Sequence, residues 1–196
     1  MRIVLAAAVS LVFAGAALAV DRAETPLKTS GCKVLKMEKR GLDGKPLNKK
    51  DRYPSEWRCQ GIGDTYVYIK YDGERESIAF GSAELQTTED IRQGGLGRWG
   101  PVIEWRGKRD AMGALEPDAV IVKYTWIDPE SGTKAEDADL TVIRLGEGAT
   151  DTCAVARINT LANRDAMEIA RRTADGEAVS YKCRDGQEPE YRGRTR

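Results

Sequence analysis

Four cysteines (Cys32, Cys59, Cys153 and Cys183) and no histidine are what most narrow the folds open to this chain. Behind an apolar leader, an even number of thiols reads as a framework of two disulfides. Three pairings are possible. The similar separations within the first two and within the last two favour Cys32 with Cys59 and Cys153 with Cys183. The alternative is a crosswise arrangement tying the N-terminal strand to the C-terminal one. No C-x-x-C spacing exists and no imidazole can complete a ligand set, so neither a zinc site nor a thioredoxin-like centre is expected. The missing histidine also removes triads that need an imidazole base.

Residues 1–19 open with Arg2, run apolar from Ile3 to Leu18 with Ser10 as the one interruption, and end in Ala17-Leu18-Ala19. This is the pattern of a secretory signal peptide with a small-residue cleavage site. A spanning helix needs about 20 apolar residues, more than this run offers. No cysteine follows the cleavage site, so a lipid anchor is not expected, and no membrane span is expected in the mature chain. The reading is a periplasmic protein, secreted through the inner membrane. The 196-residue chain carries 31 basic and 31 acidic side chains. Loss of Arg2 leaves 30 against 31, a balance that argues against nucleic acid as a partner.

Alternation then organises the chain. Residues 20–31 are polar, with Pro26 and Gly31, and are expected to be a flexible lead-in. Cys32–Glu38 reads as a first strand. Thr65–Tyr71 and Glu74–Gly81, joined by Asp72-Gly73, make the clearest hairpin. Pairing Val67 with Phe80 and Ile69 with Ile78 gathers one apolar face and leaves a four-residue loop, Asp72–Arg75; register follows the buried face. Ala119–Ile127 is apolar on both faces and is expected to be central. It returns through a long acidic loop to Leu140–Leu145. Cys153–Ile158 is a further strand. The one convincing helix spans 164–175, with Asn163 as N-cap, Gly176 just past its end, and a stripe of Ala166, Met167, Ala170, Thr173 and Ala174. Val179–Cys183 reads as the last strand, followed by a polar tail, 185–196.

Several motifs fail on context. Gly95-Leu-Gly97-Arg-Trp-Gly100 spells G-x-G-x-x-G, yet Pro101 and a strand-like segment follow where a nucleotide fingerprint needs a helix, so the glycines read as a tightly turning loop. Ser30-Gly-Cys-Lys33 matches S-x-x-K without its companion elements. Asp128, Glu130, Glu136, Asp137 and Asp139 lack the EF-hand spacing, so no metal is expected. Glu56-Trp57 and Glu104-Trp105 set carboxylates beside indoles, an arrangement that can raise a carboxyl pKa in a glycosidase. Alternation offers the simpler reading, with tryptophan inward and glutamate in water.

Glu56-Trp-Arg-Cys59 with Gly61, Ile78-Ala-Phe-Gly81, Glu104-Trp-Arg106, Cys153-Ala-Val-Ala156 and Ala162-Asn-Arg-Asp-Ala166, leading to Ala170-Arg171 and Ala174-Asp175, resemble an uncharacterised family of secreted alphaproteobacterial proteins with no assigned activity. The resemblance covers residues 32–184 and implies a periplasmic setting. It carries over no catalytic residue, and Ala154 stands where the family pattern has a histidine. Likeness to periplasmic lysozyme inhibitors is limited to an exported, disulfide-linked, β-rich chain, which is analogy at the level of fold.

The expected architecture is a single α+β domain over 32–184. A curved or barrel-like antiparallel sheet of six to eight strands would carry one C-terminal helix packed on it. The expected function is a non-enzymatic binding protein of the cell envelope, with an envelope protein or a glycan as partner and no cofactor. From Lys33 to Arg52 eight basic residues stand against three acidic ones, and Lys36, Lys39, Arg40, Lys49, Lys50 and Arg52 form a candidate interaction patch. Asp110–Asp139 holds eight acidic residues against two basic, so opposite surfaces could engage different partners. The alternatives are a carboxylate-dependent hydrolase of cell-wall glycan and a lysozyme-inhibitor-like protein.

Overall fold

A computed structural model describes residues 20–146, 148–184 and 186–193; the expected signal peptide lies outside the described residues. Two sheets form. The larger runs β1 (Asp21–Pro26), β7 (Gly97–Arg109), β8 (Leu115–Ile127), β9 (Lys134–Arg144), β10 (Cys153–Asn159) and β11 (Glu190–Arg192) in that spatial order. The smaller runs β2 (Lys33–Glu38), β3 (Tyr53–Gln60), β4 (Tyr66–Tyr71), β5 (Glu76–Gly81) and β6 (Ile91–Arg92). All pairs are antiparallel except β10–β11. The expectation of mainly antiparallel sheet with one helix and two disulfides holds. One barrel-like sheet does not: there are two sheets, and each ends in open edge strands.

The expected hairpin forms in the expected register, with Val67 opposite Phe80, Ile69 opposite Ile78 and a loop of Asp72–Arg75. Gly73 takes a φ of +102°, a conformation that costs glycine little, and Asp72 Oδ1 accepts the N–H groups of Glu74 and Arg75. β8 lies inside its sheet, and its alternation feeds two cores. Val120, Val122 and Tyr124 join Trp99, Ile103 and Trp105 of β7 against Val67, Ile69, Ile78 and Phe80 of the smaller sheet. Ala119 and Ile121 join Leu140, Val142 and Ile158 beneath the helix. The result is three layers: small sheet, large sheet, helix.

Several expectations need correction. The lead-in is not free chain, because Asp21–Pro26 pairs along β7 and the Trp105 indole donates to Thr25 Oγ1 at 2.8 Å. The helix (α1, Ala166–Arg172) starts later than expected and continues past Gly176 as a π-helical stretch, Thr173–Ala178. Asn163 does not cap it by side chain; its amide donates instead to the carbonyls of Asn159 and Arg192. The buried stripe is Ala166, Ala170, Thr173, Ala174 and Ala178, whereas Met167 is exposed. Small residues there let the helix backbone sit close to the sheet, and a methionine would hold it off. Val179–Cys183 is not a strand. The last strand is β11, inside the expected polar tail, where Arg192 donates to Thr173 Oγ1 and to carboxylates of Glu177 and Glu190 at 2.6–2.7 Å. The acidic loop is shorter than expected, because 134–139 belongs to β9. No helix among the described residues is long and apolar enough to cross a membrane.

Candidate functional site

The two sheets differ in width, and the difference makes a cleft. The smaller sheet covers β7, β8 and, on β9, Ile143. Beyond that cover, the same face of the larger sheet turns polar. Alternation along β9 places Asp139 and Thr141 on the face of Ile143, opposite to Leu140 and Val142. Register continues the row outward, with Thr141 beside Arg157 of β10 and Arg157 beside Tyr191 of β11. The connection from β6 to β7 crosses this overhang and is pinned there by Gln93, whose amide donates to Thr141 Oγ1 at 2.6 Å.

A cleft of about 640 Å³ remains, lined by Gly94, Gly95, Leu96, Trp126, Ile127, Pro129, Asp139, Arg157 and Tyr191. Its wall depends on the glycines. Trp99, Tyr124 and Trp126 form an aromatic ladder with centroid spacings of 4.9 and 5.1 Å, and the Tyr124 hydroxyl donates to Gly95 O at 3.0 Å. A Cβ on Gly95 would stand 2.9 Å from the Trp126 ring, and one on Gly97 would stand 2.3 Å from Tyr124. Neither glycine has positive φ. They serve close approach of aromatic rings, which corrects the expectation of tight turning. Burial pushes the Tyr124 hydroxyl pKa up to about 12, with the Glu76 charge adding to it, so the ladder stays neutral at ordinary pH.

The polar groups of the cleft are few and fixed. Asn159 donates to Asp139 Oδ1 at 3.1 Å and to Asp137, which orients the Asp139 carboxylate. Arg157 donates from Nη2 to Arg92 O at 2.9 Å, while its buried Nε has no hydrogen-bond partner among the described residues. Asp139 is the one carboxylate among the described lining residues. A mostly apolar concavity with a few oriented polar groups is what a small ligand needs.

The sequence-derived site residues fall elsewhere. The disulfides are Cys32–Cys59, joining β2 to β3, and Cys153–Cys183, tying β10 to the segment after the helix. Lys36, Lys39, Arg40, Lys49, Lys50 and Arg52 are all exposed on β2 and the β2–β3 connection, away from the cleft lining. Lys36 pairs with Glu38 at 2.8 Å, and Arg40 donates to Gly44 O. Sequence reasoning misses Trp126, Asp139, Arg157 and Tyr191 as a group. The available signal is Asp139 and Thr141 in phase with Ile143, polar residues where a core strand should bury apolar ones.

Glu104 corrects the simple alternation reading. Trp105 is inward as expected, but Glu104 is also buried, under the helix. Arg171 donates Nε to its Oε1 at 2.9 Å and Nη2 to its Oε2 at 2.8 Å. Arg106 reaches Oε1 at 3.2 Å and gives its Nε to Asp175 at 2.8 Å. Burial pushes the Glu104 carboxyl up, but the hydrogen bonds and charge of Arg171 outweigh it, with help from Arg106, and hold it below the usual carboxylate range. That is the opposite of what a general acid needs. No family model, curated protein or solved structure matches this chain.

Proposed function

We propose that the chain is an exported, non-enzymatic binding protein of the cell envelope that holds a glycan unit in the cleft over β9–β11. The observation that carries this is the pairing of two aromatic side chains, Trp126 and Tyr191, with one carboxylate and one guanidinium in a single cleft. Aromatic faces suit the apolar side of a pyranose ring, and Asp139 and Arg157 supply an acceptor and a donor for its hydroxyls. Glycoside hydrolysis ordinarily uses two carboxylates flanking the bond, and the described lining residues of this cleft include one. The two disulfides support a periplasmic setting.

Calorimetric titration with soluble peptidoglycan disaccharide fragments tests the reading. Binding that weakens about tenfold or more in Trp126→Ala, with the ligand recovered uncut by chromatography, is the expected result. No heat at millimolar ligand, or binding indifferent to Trp126, overturns it.

A second reading, the hydrolase, rests on Glu76. Burial raises its carboxyl pKa against the lowering effect of the Trp99 N–H and Arg98. It lines a pocket of about 200 Å³ with Glu38 and Asp72. Hydrogen bonds from Lys36 and Ser55 lower Glu38; at Asp72, burial is outweighed by the N–H groups of Arg75 and Glu74. Cleavage of peptidoglycan that vanishes in Glu76→Gln would select it. The lysozyme-inhibitor alternative instead predicts that added protein slows lysozyme clearing of a turbid cell-wall suspension.

A further inference from the structure

We propose that the open edge of β2, with the basic connection that follows it, docks an extended acidic polypeptide segment of an envelope partner as an added strand. The inference is independent of the cleft. β2 is terminal in the smaller sheet and pairs on one side, with β3. Its residues Lys33 to Met37 are all exposed, and among them Val34, Leu35 and Met37 are 43%, 42% and 43% exposed. Apolar side chains on an unpaired edge are a template for another strand.

Register gives the edge two chemically different sides. Val34 lies opposite Trp57, which packs against the core between the sheets, so Val34 shares that side. Lys33 lies opposite Arg58, and Lys36 opposite Glu56 and then Lys70. The Tyr68 hydroxyl donates to Ser82 O and Lys70 pairs with Asp90, so the 82–90 segment overlies the β4–β5 side and leaves the β2 side open. β2 is irregular between Val34 and Lys36 and between Lys36 and Met37, so a strand added at its edge meets Val34 on one side and Lys33 and Lys36 on the other, with the alternation out of step past Leu35.

Charge selects the partner. Residues 33–52 hold eight basic and three acidic side chains, and Lys39, Lys49, Lys50 and Arg52 are exposed just beyond the edge. Lysines on an edge strand repel a second copy of the same edge, which is how natural edges avoid self-pairing. Lys36 is already paired with Glu38 and lies 3.7 Å from Glu56, so Lys33, Lys39, Lys49, Lys50 and Arg52 are the charges that attract a strand of opposite sign and steer its approach. An acidic segment with apolar residues at alternate positions satisfies both sides of β2.

Fluorescence anisotropy with a labelled eight-residue peptide of alternating glutamate and valine tests the proposal on the full chain. Saturable binding should weaken about tenfold or more between roughly 0.05 and 0.5 M salt, because exposed charges are screened. Leu35→Pro puts a ring and no N–H at the irregular position between Val34 and Lys36 and should weaken binding by a similar factor, with an unchanged far-ultraviolet spectrum showing the fold intact. Leu35→Asp is the second variant; it keeps the backbone donor, repels the peptide, and should also weaken binding. Trp126→Ala should leave it unchanged, which separates this site from the cleft. The proposal is overturned if the peptide does not bind, if both Leu35 variants bind like the parent, or if dextran sulfate binds as well as the peptide and is equally insensitive to Leu35, the mark of a plain anionic-polymer surface.

Discussion

The two faces of the six-stranded sheet solve the same packing problem with different materials. Toward the smaller sheet, Trp99, Trp105 and Tyr124 fill the space with large rings in edge-to-face contact, among them Trp105 against Phe80 with centroids 6.1 Å apart. Toward the helix, the contact surface is alanine, threonine and short aliphatics, and charge fixes the helix in place through Glu104–Arg171 and Arg106–Asp175. The first face depends on shape and the second on approach distance and on ionisation. β7 carries both, because Glu104 and Trp105 are neighbours on opposite faces. One dipeptide therefore anchors two unlike interfaces.

Substitutions at that dipeptide give the sharpest contrast. Trp105→Ala should cost about 3–5 kcal/mol in urea unfolding, the usual effect of emptying an aromatic site in a packed core, with no added dependence on pH. Glu104→Gln should cost about 3 kcal/mol at neutral pH by leaving Arg171 and Arg106 without their buried carboxylate. Its effect should vary with pH where that of Trp105 does not. The Glu104 carboxyl is held below its unfolded value, so its contribution is present above the unfolded pKa and is lost as pH falls through the folded one; the gap between parent and Glu104→Gln should close in acid. Equal gaps at pH 7 and in strong acid would break the comparison.

Ala170→Leu probes the approach distance directly. The alanine is fully buried against the sheet, and the larger side chain should cost about 1–3 kcal/mol, read as a lowered unfolding midpoint. The smallest expected effect is at Glu76, whose half-buried carboxyl is raised above its unfolded value. That group contributes most below the unfolded pKa and loses its contribution as pH rises through the folded one, so Glu76→Gln should change stability by less than about 1 kcal/mol at pH 4 and be neutral or favourable at pH 7. A large loss at neutral pH would show that the Arg98 pair at 3.5 Å outweighs burial.

These two faces also mark how far the amino-acid sequence alone discloses the fold. Where one strand's alternation is strong and its turn is specific, as in β4–β5, even the register is legible. β8 announces two buried faces. β1 does not announce itself, because Asp21, Arg22 and Glu24 interleave with Ala23 and Thr25, and its pairing comes from β7 rather than from its own apolar content. β11 is three residues long and is held by ion pairs of Arg192 that no periodicity encodes. The helix end is misleading for a local reason: Gly176 reads as a stop, yet it is exposed and open around its α-carbon, while Ala174 and Ala178 on either side are buried. The cleft stays hidden because it arises from unequal strand counts in two sheets, which is a property of topology and of no single segment.

The disulfides pair in the order in which their cysteines occur, first with second and third with fourth. Were the chain delivered amino end first to an oxidising space, as the proposed export implies, Cys32 and Cys59 would be presented while Cys153 is still to come, and an oxidase joining thiols in order of emergence would close both native bonds without reshuffling.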